Sequence, residues 1–191
     1  VQGPAQSRDP LAWLEARGAQ SDVIEGLRPF GGDWSTLYEK CPRGDWLLGV
    51  ATRLGVERPH LVRAAVACAR TSLDRCEGES AARLLDVAER WARGEATAAE
   101  VAAATHALEA SAASVREPSA DAASRAALAV GLGIEDPDVL ASAAAFAAEA
   151  TIVATMECGV ELAMGWAHRA CADAVRAAIP FAELEQRTKV A

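Results

Sequence analysis

Residues 59–76 read Pro-His-Leu-Val-Arg-Ala-Ala-Val-Ala-Cys-Ala-Arg-Thr-Ser-Leu-Asp-Arg-Cys. Val62, Val66, Ala69, Leu73 and Cys76 recur at alternating steps of four and three, while Arg63, Ala67, Arg70 and Asp74 run along a different face. That spacing follows the turn of an α-helix and predicts an amphipathic helix from Pro59 to about Arg75. The same beat continues outward. Between Glu79 and Arg93 the apolar stripe is Leu84, Val87 and Trp91, with Glu89 and Arg93 as an i,i+4 pair. Gly94 sits where a left-handed C-cap costs little strain, and Thr97 with Glu100 forms a capping box for the segment that follows.

Upstream the punctuation is denser. Asp9 stands as an N-cap before Pro10 at the first helical position, and Leu11 to Arg17 run up to Gly18. Ser21 opens a second short helix through Val23, Ile24 and Leu27, which stops near Pro29. Asp33 caps a third that holds Trp34, Leu37 and Tyr38 and ends before Pro42. Asp45 opens a fourth, Trp46 to Leu54, closed by Gly55. Downstream, Thr97–Val115, Ser119–Val130 and Asp136–Ile179 read as helix, the last as one long helix or as two with a break near Gly159 or Gly165. No stretch shows the Val/Ile/Thr/Tyr alternation of a strand. The expected fold class is all-α: a compact multi-helix bundle of roughly eight to ten helices, a single domain over residues 1–191. Its 1–95 part is short and medium helices anchored by aromatics, and its 96–191 part is long, alanine-rich and acidic.

Composition supports that division. Alanine accounts for 46 of the 191 residues and is concentrated after Thr97, whereas only Trp166 of the five tryptophans lies there. A chain that is 51% hydrophobic can bury a core and is not a disordered tail. The formal net charge is -8, and residues 96–191 hold 13 acidic against 6 basic residues. Such a balance disfavours phosphate backbones, so no nucleic-acid partner is expected. The cysteines (Cys41, Cys68, Cys76, Cys158, Cys171) are odd in number with no CxxC pairing, which reads as buried free thiols in a reducing compartment. VQGPAQSRDP shows no basic region followed by an apolar core, so no signal peptide is read there. The most apolar stretch, Val139 to Ala167, is interrupted by Glu149, Glu157 and Glu161 before reaching the roughly 18 uncharged residues of a spanning helix. A cytoplasmic protein with no membrane segment is expected.

Chemistry-bearing patterns are sparse. There is no HExxH, GxxxxGK or GxSxG, and Gly131-Leu-Gly133 is a turn signal between helices rather than a phosphate cradle. His60, His106 and His168 have no nucleophile at a recognisable spacing. The best metal candidate is Glu157, Glu161, His168 and Cys171, whose spacings put neighbouring pairs on one helical face. Against it, Ser142, Glu149, Glu157, Glu161 and His168 form one stripe of the kind that faces water. Di-metal bundles moreover draw ligands from four helices, and the one literal Glu-x-x-His, Glu57 to His60, contains a proline. The solvated stripe is the preferred reading, and no catalytic residue, metal or cofactor is expected. Trp13, Trp34 and Trp46 read as core fillers on apolar faces. Arg63 and Arg70, seven residues apart, either meet a partner's carboxylates or pair with the chain's own acids.

The run Cys41-Pro-Arg-Gly-Asp45-Trp46-Leu-Leu, then Leu54-Gly55-Val56, Ala67-Cys68-Ala69-Arg70 and Ala88-Glu89-Arg90-Trp91-Ala92-Arg93-Gly94-Glu95-Ala96, resembles the bacterial immunity proteins linked to polymorphic-toxin systems. Leu11-Ala-Trp13-Leu14-Glu-Ala-Arg-Gly18, Ser21-Asp-Val and the Ile179-Pro180 pair fit the same family's outline. Gly49 departs from it, standing where a large aromatic is expected. The resemblance implies a non-enzymatic cytoplasmic protein that binds a toxin domain and neutralises it by occlusion, and it assigns no binding residues. The alternative is a helical scaffold or self-assembling module, since alanine-rich faces suit homotypic packing.

Overall fold

Several helices begin where a local side chain accepts a free backbone N–H. The computed structural model describes residues 9–155 and 160–189. They form α1 (Pro10–Glu15), α2 (Ser21–Leu27), α3 (Trp34–Lys40), α4 (Gly44–Arg53), α5 (Arg58–Arg70), α6 (Ser80–Ala92), α7 (Ala98–Ala112), α8 (Pro118–Leu132), α9 (Leu140–Ala154), α10 (Val160–Ala178) and α11 (Phe181–Thr188). Ten of the eleven have seven residues or more, and no strand occurs among the described residues. The chain is an all-α bundle.

Asp9 accepts the Leu11 N–H at 3.0 Å, and Asp33 accepts that of Thr36 at 2.9 Å. At the start of α7 the capping box is complete: the Thr97 N–H donates to Glu100 at 2.7 Å, and the Glu100 N–H donates to Thr97 Oγ1 at 3.2 Å. Thr97→Ala is expected to lower stability by about 1 kcal/mol, the usual worth of such a cap. A shifted urea midpoint at constant slope would show it, and an unmoved midpoint would mean that α7 is held by packing alone.

Two boundaries and one buried stripe differ from the sequence reading. Asp45 does not cap α4; it lies in the first turn, where its carboxylate holds Arg43 with contacts of 2.6 and 3.1 Å. α5 ends at Arg70 instead of reaching Arg75. The hydroxyls of Thr71 and Ser72 donate back to the carbonyls of Cys68 (2.7 Å) and Ala69 (3.2 Å), which competes with helix continuation, and Leu73–Arg75 form a 3-10 turn. The buried stripe of α6 is Ala81, Leu84, Leu85 and Ala88, with Val87 and Trp91 only partly covered. Small alanines let this face approach its neighbours closely, so bulk alone misplaced the stripe.

The region read as Asp136–Ile179 is two helices, α9 and α10, preceded by a 3-10 turn at Pro137–Val139. Gly165 lies inside α10, while Gly159 and Cys158 fall outside the described residues. α9 packs against α4, α5, α8 and α10 and buries Leu140, Ala143, Ala144, Ala147 and Ala148. The stretch Pro137–Ala154 is long and apolar enough to cross a membrane by length and composition. In the bundle only its Asp138, Glu149 and Ala154 are exposed.

One core cluster runs from Trp13 to Leu184. Trp13 and Trp34 meet edge to face, with ring centroids 5.2 Å apart. The C-terminal helices grip the first half through polar contacts. The Tyr38 hydroxyl donates to the Ile179 carbonyl at 2.5 Å, and Arg176 donates to the carbonyls of Tyr38 (2.9 Å) and Cys41. Arg187 donates to the Gly55 carbonyl, and His60 meets Glu183. Gly44 lies against α10 so closely that an added Cβ would stand 2.7 Å from the Cys171 carbonyl carbon.

Candidate functional site

Two features stand out on this frame: a cleft along α4, and an apolar exposed face near the start of α10. The cleft, of about 320 Å³, lies between α2, α4 and α9. Trp46 forms one wall. Its indole lies against Gly26 of α2, where an added Cβ would come within 1.9 Å of the ring, so a residue without a side chain permits that approach. Arg43 stacks on the ring of this wall, its guanidinium carbon 4.4 Å from the centroid, and is neutralised by Asp45. Gly49 leaves the floor bare, since an added Cβ would meet only Arg53 Nη1 at 3.4 Å. Arg53 donates to the Gly49 carbonyl at 3.2 Å and makes no ion pair among the described residues. Asp22 and Asp138 at the rim are likewise without an ion pair among the described residues, and Ser142 is half-buried.

On α10, Ala163, Ala167, Cys171 and Val175 point into the core at helical spacing. The opposite side leaves Leu162 61% exposed and Trp166 67% exposed, four residues apart on one face, while Met164, 43% exposed, lies on a different side of the helix. A soluble surface normally keeps tryptophan covered, and exposed large apolar side chains on a shared face mark contact surfaces. The reading of Trp13, Trp34 and Trp46 as core fillers does not extend to Trp166. The available signal was the Ala163–Ala167–Cys171 stripe, which already fills the inward face and turns Trp166 outward.

The proposed metal group does not assemble among the residues described. Glu157 and the side chain of Glu161 lie outside them. The Cys171 thiol is buried and donates to the Ala144 carbonyl at 3.6 Å, with Thr71 Oγ1 3.8 Å away. Cys68 donates to the Cys171 carbonyl at 3.4 Å, and contact with Cys171, then burial, holds the Cys68 thiol well above its ordinary range. Cys41 is pushed up to about 11 by burial. Among the described residues no three His, Cys, Asp or Glu side chains converge as metal ligands.

His168 is half-buried on α10, and burial, reinforced by Arg43, lowers its pKa below 6.5. A histidine with a depressed folded pKa favours the neutral form. Its contribution is therefore fully present above pH 6.5, the unfolded value, and is lost as pH falls through the folded one. Accordingly, the stability lost by the wild type between pH 7.5 and pH 5, in excess of that lost by His168→Gln, is expected to be positive. Urea midpoints of the two proteins at each pH measure it, and equal losses would refute the assignment.

Of the two arginines singled out from the sequence, Arg70 bridges Asp86 and Glu89 of α6, each at 2.8 Å. These side chains are more than a third exposed, so the pairs contribute little. Arg63 is exposed and makes no ion pair among the described residues. Glu89 and Arg93 form their i,i+4 pair at 3.4 Å. Trp13 and Trp34 are core residues, Trp46 is half-buried in the cleft wall, and Trp166 is exposed. His106 pairs only with Glu109 on its own helix, at 2.9 Å. Gly131 and Gly133 pack against Thr105 and Leu140, where added Cβ atoms would clash.

Comparison with protein-family models, with curated proteins and with solved structures finds no match.

Proposed function

We propose that this chain is a non-enzymatic binding protein of the immunity kind, acting in the cytoplasm by covering a toxin domain through α10. The observation that carries the reading is the exposure of Leu162 and Trp166 on one face of α10. Tryptophan is the residue most enriched among those that dominate binding energy, because its large rigid surface loses little entropy on contact. The surrounding half of the chain supplies seven of the eight net negative charges, which would steer a basic partner and suppress acidic ones. The sequence resemblance at Cys41–Ala96 supports the class of partner, a toxin domain, and the α10 face supports the mode of contact.

The test is co-expression with the toxin-bearing product of the adjacent reading frame. Growth rescue together with a stable complex supports the reading. Trp166→Ala and Leu162→Asp are expected to weaken that complex at least tenfold while leaving the circular dichroism unchanged. Failure of rescue, or rescue undisturbed by both substitutions, would overturn it. A solution mass that is a multiple of 19.9 kDa for the isolated chain, lost in the same variants, would instead favour self-assembly through this face.

A further inference from the structure

We propose that the cleft between α2, α4 and α9 binds a free apolar α-amino acid, independently of any partner on α10. The inventory of charges decides the ligand class. Arg43 and Asp45 neutralise each other. The remaining charged groups on the lining are Arg53, which spends one N–H on the Gly49 carbonyl and keeps the others, and the carboxylates of Asp22 and Asp138. A simple anion would meet one guanidinium and two carboxylates, and a simple amine would meet the guanidinium. A zwitterion satisfies both signs: its carboxylate takes the free guanidinium N–H groups of Arg53, and its ammonium faces Asp22 and Asp138. The half-buried hydroxyl of Ser142 adds a further polar partner.

Size and polarity agree with that class. A cleft of about 320 Å³ is at the small end of ligand sites. Val23, Val50 and Ala141 present an apolar surface to a branched side chain, and the bare backbone at Gly49 gives it room. The Trp46 wall is held by its contact with Gly26 and by the stacked Arg43.

Isothermal titration with L-leucine tests the assignment, with 4-methylpentanoate and 3-methylbutylamine as ligands that each lack one charge. Leucine is expected to bind, and each single-charge analogue to bind at least tenfold more weakly. Arg53→Gln should weaken leucine at least tenfold, and Gly49→Leu, whose added Cβ meets only the mobile end of Arg53, should abolish binding without changing the circular dichroism. No heat with leucine at about 10 mM, a concentration that would reveal even millimolar affinity, would overturn the proposal. So would an analogue that binds as tightly as leucine, or leucine binding that survives Gly49→Leu. None of these outcomes bears on toxin neutralisation, so the two readings fail separately.

Discussion

Replacing Gly44 with alanine is expected to destabilise the protein by about 2–3 kcal/mol, the upper part of the usual range for overpacking. The added Cβ would lie 2.7 Å from the carbonyl carbon and the Cβ of Cys171 and 2.9 Å from its carbonyl oxygen. These are mostly backbone atoms of α10, so no flexible side chain can yield, and the two helices must separate. Separation would also disturb the contact between Cys68 and the Cys171 carbonyl. Gly49→Ala, five residues along the same helix, provides the control. There the new methyl meets only the mobile end of Arg53, so removing a helical glycine should stabilise by about 0.5–1 kcal/mol. Urea titration of both variants reads the contrast. Stabilisation by both substitutions would show that helix propensity, not close approach, governs α4.

The second large effect is expected at Arg176. Its guanidinium serves the carbonyls of Tyr38, in the last turn of α3, and of Cys41, its C-cap, which have no next turn to bond to, and it also meets Asp173 at 2.9 Å. Arg176→Ala should lower stability by about 2–3 kcal/mol, near the value for hydrogen bonds to a charged donor with some replacement by water. Arg176→Lys should recover less than half of that loss, because a compact ammonium cannot span two carbonyls as a planar fork does. Added salt should change the wild-type contribution little, since its main partners are neutral. Denaturant midpoints at low and high salt check both statements, and an Ala variant as stable as the wild type would mean that water replaces the clamp fully.

Helix positions were largely legible because their ends are written in single residues. Asp9-Pro10, Asp33, the Thr97–Glu100 box and the glycines at 18, 55 and 94 act over a few bonds, and all of them function as read. Where the reading failed, a local competitor or a tertiary contact decided. Thr71 and Ser72 stop α5 through their hydroxyls, and Asp45 spends its carboxylate on Arg43 rather than on a cap. The cleft was not legible, because it depends on three helices meeting and on two glycines, Gly26 and Gly49, whose meaning is set by what lies opposite. In the sequence Gly49 was only a departure from an expected aromatic. In the fold it is the floor of a cavity. The outward turn of Trp166 follows from the small Ala163, Ala167 and Cys171 filling the inward face, a pattern with too little bulk to stand out in the sequence.

The contacts made by α10 and α11 also bear on biosynthesis. The seat for Gly44, the clamp on α3, the acceptor for Tyr38 and the partners of His60 and Gly55 all come from residues 171–187. A ribosome delivers those residues after every helix they complete. While they are still in the exit tunnel, α3, α4 and α5 expose apolar surface that nothing earlier in the chain can cover. Closure over such sequence separations is entropically slow, so the half-made chain is the species most in need of chaperone protection.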